Sequence, residues 1–190
     1  MKNNLRIAVL FTLVTTVLFG LIYPLSVTGL AQFTFPSQAS GSLILRNGHL
    51  IGSKLLGQPF SGPGYFHPRP SNAGTGYDAA QSSGSNMAPT NHLLLDRVKS
   101  DVEKLHAENP GAPIPIDLVT ASGSGLDPEI SPAAAEFQVP RVARERGMRE
   151  ADLRTLVQKH TLSRQFGFLG ESRVRVLELN LDLDVVSPKK

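Results

Sequence analysis

Cysteine is absent from all 190 residues, so neither a disulfide framework nor a thiolate metal site is available. Charge is missing over a long stretch: after Arg6 no ionised side chain appears until Arg46. A formal net charge of +3 is too small and too dispersed to argue for nucleic acid as a partner. No Lys/Arg cluster follows the uncharged stretch, so recognition of anionic lipid is not indicated either. There is no G-x-x-x-x-G-K-[ST] loop and no dinucleotide fingerprint. His49, His67, His92, His106 and His160 show no ligand spacing, which predicts scattered surface histidines and no metal site. Ser124 lies between glycines without completing G-x-S-x-G, and no partner histidine or acid can be placed beside it. No catalytic residues are assigned, and an enzyme acting alone is not expected.

What is present begins with the apolar run Ile7 to Leu25, preceded by Lys2 and Arg6. Nineteen helical residues reach roughly 28 Å, enough for a bilayer core. The expected organisation is a cytoplasmic N-terminus over 1–6, a transmembrane helix over 7–27 and a juxtamembrane connection over 28–41. A soluble α+β domain follows over 42–186, with a tail over 187–190. Tyr23 sits where an interfacial aromatic belongs, and Pro24 is expected to kink or end the helix. With the cations ahead of the span, the positive-inside bias puts the domain outside the cytoplasm. A cleaved signal peptide is the rival reading, with Gly29-Leu30-Ala31 as a small-residue cleavage site. The apolar run exceeds the usual h-region and favours retention. Thr12, Thr16 and Gly20 follow an i,i+4 line that permits close helix packing.

In the soluble part, Ser42 to Leu45 reads as a strand entering an Asn47-Gly48 turn. Residues 57–89 form a long irregular loop rich in Gly, Pro, Ser and Asn, and its aromatics Phe60, Tyr65, Phe66 and Tyr77 argue against disorder. A helix capped by Thr90 or Asn91 runs to about Ala107, its stripe being Leu94, Val98, Val102 and Leu105. Pro115 to Val119 reads as a strand feeding the turn Ser122-Gly123-Ser124-Gly125. A second helix starts at Ser131-Pro132 and stops at Gly147, and a third spans about Arg149 to His160. Leu177, Leu179, Leu181 and Leu183 alternate with Glu178, Asn180, Asp182 and Asp184. That alternation predicts a final strand, and Val174 and Val176 in the opposite phase place a bulge near Val176; its acidic edge reads as the solvent face of the strand, with attraction of cations toward a pore mouth as the alternative. Gln81 to Asn86 offers a Gly/Ser nest of backbone N–H groups suited to phosphate.

Several stretches taken in order resemble one family. They are Tyr23-Pro24-Leu25, Phe35 to Ile44, Gly52 to Gln58, Tyr65-Phe66-His67-Pro68-Arg69-Pro70-Ser71 and Ser83-Gly84-Ser85-Asn86. Leu118 to Pro128, Gln138 to Ala143 and Val176 to Asn180 complete the set. Together they are similar to the C subunit of the Kdp-type potassium-transporting ATPase. Ser83 departs from a glycine pair usual in that family, and Arg175 stands where Asn is common.

The resemblance implies a non-catalytic accessory subunit of an ATP-driven potassium import complex in a bacterial inner membrane. Its partners would be a channel-like potassium-selecting subunit, a P-type ATPase subunit and the lipid bilayer. This chain has neither a Thr-Val-Gly-Tyr-Gly run nor an Asp-Lys-Thr-Gly-Thr motif, in keeping with an assisting role. The family's proposed part is that of a catalytic chaperone raising the ATP affinity of the ATPase subunit. By that resemblance Gln81, Ser83, Gly84, Ser85 and Asn86 would touch nucleotide, with ATP a possible ligand and no tightly bound cofactor. An outward-facing domain would instead favour assembly and stabilisation at the outer mouth. Two alternatives from other classes are an anchored extracytoplasmic binding module for a small solute, using the long loop, and an anchored hydrolase using Ser122 or Ser124.

Overall fold

The computed structural model describes residues 2–187, and the chain divides into two compact units after Ser53. Of the expected tail, only Ser187 falls within the described residues. The N-terminal unit opens with α1 (Lys2–Val17), a π turn (Leu18–Ile22) and α2 (Tyr23–Thr34). Together they make one continuous helix of 33 residues with a mean hydropathy of 2.3 over its most apolar window and none of that window buried. This helix is long and apolar enough to cross a membrane.

Pro24 does not end the helix; it sits in the first turn of α2, directly after the π turn. Proline lacks an N–H and its ring collides with the carbonyl four residues back. The chain relieves both problems by widening just before it, where the Tyr23 N–H reaches the Leu18 carbonyl, five residues back. The helix then continues past residue 27, to Thr34. Thr15 and Thr34 return their hydroxyls to their own helix, on the Phe11 and Leu30 carbonyls at 2.8 Å, as an apolar solvent demands. A short α3 (Pro36–Ala39) leads into the hairpin β1 (Leu43–Arg46) and β2 (His49–Ser53). Asn47 and Gly48, both at positive φ, make the two-residue turn, as their sequence predicts.

The second unit is the mixed helix and sheet domain expected of the α+β class. It contains α4 (His92–Glu108), β3 (Glu129–Ile130), α5 (Pro132–Arg146) and α6 (Glu150–Lys159). β4 (Thr161–Leu162), β5 (Arg173–Arg175) and α7 (Val176–Val186) complete it. The sheet is antiparallel with order β3-β5-β4, and Val174 of β5 faces both Ile130 and Thr161. α5 is the centre of the core: Ala134, Ala135, Phe137, Val139 and Val142 are buried along it. Leu153 of α6, Val174 of β5 and Leu179 and Leu183 of α7 close around it, with Phe66 from the irregular loop. Asn91 caps α4 through the Leu93 N–H at 2.9 Å, and Ser131 caps α5 through the Ala134 N–H at 3.0 Å. Gly147 ends α5 in the left-handed region, φ 63°.

Two sequence-based strands are helical. Residues 115–119 hold a 3-10 turn (Ile116–Leu118), because Pro113 and Pro115 remove ladder donors. Its other anchor is the Asp117 carboxylate, which takes the Ser131 N–H at 2.7 Å and the Ser131 hydroxyl at 3.1 Å. The final segment is α7, not a strand. Its leucines recur every two residues, yet Val176, Leu179, Asn180 and Leu183, buried together with Leu177, fall at i, i+3, i+4 and i+7. β5 ends at Arg175, and the helix starts where a bulge was expected.

The acidic edge is consequently a pair of helix faces with every acid engaged. Burial pushes Glu178 up, but hydrogen bonds from Lys54 and Arg175 outweigh it and hold the carboxyl below its usual range. Lys159 at 2.7 Å, aided by His160 at 2.9 Å, holds Asp182 down. Asp184 takes Arg146 at 2.8 Å and the Tyr65 hydroxyl at 3.0 Å. These pairings answer the charge inside the molecule rather than projecting it toward passing cations. His160 and His67 are part-buried and bonded, so they are not the loose surface groups their spacing suggests.

Candidate functional site

The irregular loop is fixed by side chains of α5 and α7. Asn180 accepts the Phe66 N–H and donates to the Phe66 carbonyl, both at 2.9 Å. Gln138 does the same for His67, at 2.7 and 3.1 Å. Arg141 donates to the Pro63 and Tyr65 carbonyls and to Gln138, while its Nε makes a 2.7 Å charge contact with Glu108. Arg146 donates to the Gly64 carbonyl at 2.7 Å and stacks over Tyr65, 4.6 Å from the ring centroid. Burial and the Arg141 charge push the His67 imidazole below its ordinary pKa of 6.5, and its Nε2 donates to the Gly62 carbonyl at 3.1 Å.

Beyond His67, two Gly/Ser-rich stretches some forty residues apart meet backbone to backbone. The Ser83 N–H donates to the Ser124 carbonyl at 3.0 Å, and the Ser82 hydroxyl reaches the same oxygen at 3.0 Å. Ser71 donates to the Gly125 carbonyl at 2.6 Å and accepts the Ala73 and Tyr77 N–H groups. Gly125, at φ 67°, has no room for a side chain: a Cβ would stand 2.6 Å from the Ser83 carbonyl oxygen and 2.7 Å from the Ala73 nitrogen. Tyr77 closes the bend with its hydroxyl on the Arg69 carbonyl at 2.5 Å, and burial pushes that phenol up to about 12.

Gln81, Ser83, Gly84, Ser85 and Asn86 are therefore brought beside the Ser122–Gly125 turn, a neighbourhood their sequence separation conceals. Gln81 and Asn86 are exposed, and Ser83, Gly84 and Ser85 are half-buried. Ser83 escapes the strain a lost glycine would cause: Asn86, not Ser83, occupies the left-handed region, with φ 52°. The Ser124 hydroxyl accepts the Leu126 N–H at 3.1 Å and lies 3.5 Å from that of Ser122, a turn-stabilising arrangement rather than an activated nucleophile. Thr12, Thr16 and Gly20 share an exposed face of the long helix. A Cβ on Gly20 would sit 3.9 Å from the Thr16 methyl, and Gly20 itself lies in the π turn.

A recess of about 660 Å³ lies elsewhere and was not anticipated. Arg69, Asp117, Asp127, Glu129 and Arg173 line it along with Ile116 and Leu169. Arg69 pairs with Asp127 at 3.0 Å and Arg173 with Glu129 at 2.7 Å. Beside it the connection from β4 to β5 narrows to a tip at Phe166-Gly167-Phe168, with Phe166 86% and Phe168 71% exposed. The run Phe166-Gly167-Phe168-Leu169-Gly170 carries a readable turn signal with apolar residues where polar ones are usual.

An α+β domain joined in one chain to one N-terminal helix that is long, exposed and apolar enough to cross a membrane defines the class. The family model described as "KdpC: K+-transporting ATPase, c chain" matches residues 5–185. The chain belongs to that family. It is 63% identical over 188 residues to the Potassium-transporting ATPase KdpC subunit of Koribacter versatilis (strain Ellin345), covering 99% of this chain and 97% of the relative. It is 59% identical over 183 residues to the protein of that name from Acidobacterium capsulatum, covering 96% and 98%. The one from Caulobacter vibrioides (strain NA1000 / CB15N) is 54% identical over 189 residues, covering 99% and 96%.

Proposed function

We propose that this chain is an accessory subunit of a high-affinity, ATP-driven potassium import complex, held by one helix and acting outside the cytoplasm to assemble and stabilise its partners. Those partners are a channel-like subunit that selects potassium and a P-type subunit that hydrolyses ATP. The observation that carries the reading is full-length kinship with KdpC subunits in a chain whose 33-residue apolar helix is unburied. An exposed face with Thr12, Thr16 and Gly20 suits close packing against partner helices. Lys2 and Arg6 ahead of the span favour an outward domain.

A second reading is the catalytic chaperone, in which Gln81 to Asn86 contacts ATP. In its favour, the stretch is at the surface and offers hydroxyl and amide groups. Against it, residues 81–86 carry no cation to meet a triphosphate, and an outward domain never meets cytoplasmic ATP. The absence of native cysteine supplies the test. With Lys99→Cys on exposed α4, intact cells are treated with a membrane-impermeant thiol reagent. Labelling before lysis is expected and supports the stabilising role. Labelling only after lysis overturns the outward orientation and favours the nucleotide reading.

A further inference from the structure

The widening that relieves Pro24 passes its missing hydrogen bond on to a neighbour. In an unbroken α-helix the Phe19 carbonyl would take the Tyr23 N–H. Here that N–H goes to the Leu18 carbonyl alone. The next donor along the widened turn would belong to Pro24, which has none. The Phe19 carbonyl is therefore left without a ladder donor. No side chain among the described residues fills the gap, since the hydroxyls of Thr15 and Thr34 serve other carbonyls of the helix.

Depth decides what can answer that carbonyl. With the helix across a bilayer, Phe19 lies roughly 18 Å along the axis from Ile7 and roughly 9 Å short of Leu25, inside the hydrocarbon. An unpaired backbone carbonyl is costly there, and acyl chains carry no donor. A lysine or arginine is expensive at the same depth, which leaves a neutral donor: Ser, Thr, Asn or Gln on another membrane helix. Access is open. Every residue of the π turn from Leu18 to Ile22 is exposed, and Gly20, directly after Phe19, ends the line of small side chains from Thr12 and Thr16.

We infer that the Phe19 carbonyl accepts a hydrogen bond from a neutral side chain on a membrane helix of another subunit of the same complex. The inference rests on the accessory-subunit reading and gives its helix packing a specific polar contact. Phe-Gly pairs occur in the chain only at Phe19-Gly20 and Phe166-Gly167. Labelling with carbonyl-13C phenylalanine and 15N glycine therefore isolates two carbonyls by solid-state NMR in lipid bilayers, and a Phe166→Tyr variant assigns them. The Phe19 resonance is expected to move downfield between the full chain alone and the purified complex. The same position in both samples overturns the inference, whether water, a second copy of the chain or nothing at all meets the carbonyl. Pro24→Ala restores the missing N–H and should cut retention of the chain in the complex by about threefold to twentyfold, the range of hydrogen bonds between membrane helices. Pro36→Ala, beyond the long helix, should leave retention unchanged. Equal retention of these two variants overturns the inference as well. A chain that never co-purifies with the larger subunits sinks the accessory-subunit reading first, and the Phe19 contact with it.

Discussion

Asn180 grips Phe66 as one strand grips another: its carboxamide accepts the Phe66 N–H and donates to the Phe66 carbonyl, both at 2.9 Å, with both residues almost wholly buried. A helix side chain thus supplies the pairing that a loop without regular structure cannot give itself. Asn180→Leu fills the space but strands a buried donor and a buried acceptor at 1–3 kcal/mol each. A loss of about 3 kcal/mol is expected in chemical unfolding of the full chain in detergent. A loss under about 1 kcal/mol would show that water readily replaces the carboxamide.

Gly125 and Gly123 offer a matched comparison within one turn. A methyl at Gly125 meets the Ser83 oxygen at 2.6 Å in a left-handed backbone, while at Gly123 it meets nothing within 4 Å. Gly125→Ala should push the 71–86 segment off the Ser122–Gly125 turn, seen as faster protease cleavage after Tyr77 or Asp78. Gly123→Ala should leave cleavage unchanged. Equal behaviour of the two variants would refute the backbone-on-backbone packing.

His67 gives the domain a specific acid sensitivity. Burial, reinforced by Arg141, lowers its folded pKa below the ordinary 6.5. The unfolded chain therefore binds more protons through that window. The stability contributed is complete above pH 6.5 and is lost as pH falls through the folded pKa. Thermal unfolding should drop between pH 7 and pH 5. His67→Gln keeps a donor for the Gly62 carbonyl without titrating, so it should flatten that slope. A slope unchanged in the variant would assign the sensitivity to other groups.

Local signals were legible where one residue decides the outcome. Asn91, Ser131-Pro132 and Gly147 bounded their helices correctly because a cap needs only its own short sequence. α7 was misread because a leucine at every second position satisfies both a strand face and part of a helix face. Packing of Leu179 and Leu183 on α5 made the choice, and packing is not written in the local period. The meeting of Gln81–Asn86 with Ser122–Gly125 was hidden for a similar reason, since each half reads as an ordinary turn. Likewise the roles of Gln138 and Asn180 were invisible, because their partners are backbone groups of a loop over seventy residues away.

Arg146 tests whether the loop and the end of α7 are one unit. Its side chain is 2% exposed and serves the Gly64 carbonyl, the Ser187 carbonyl, Asp184 and the Tyr65 ring. Arg146→Ala leaves Asp184 without its cation and two carbonyls without a donor, so a loss of about 3 kcal/mol is expected. Arg146→Lys keeps the charge but neither the planar fork nor the stacking, and should recover about half of that. Asp184 is 31% exposed, so water softens its isolation, and Asp184→Asn alone should cost about 1 kcal/mol. In the Arg146→Ala background the same change should cost close to nothing, because the partner that made the carboxylate useful is gone. Strictly additive losses across that cycle would mean that Arg146 acts through the Gly64 and Ser187 carbonyls and the Tyr65 ring and not through Asp184.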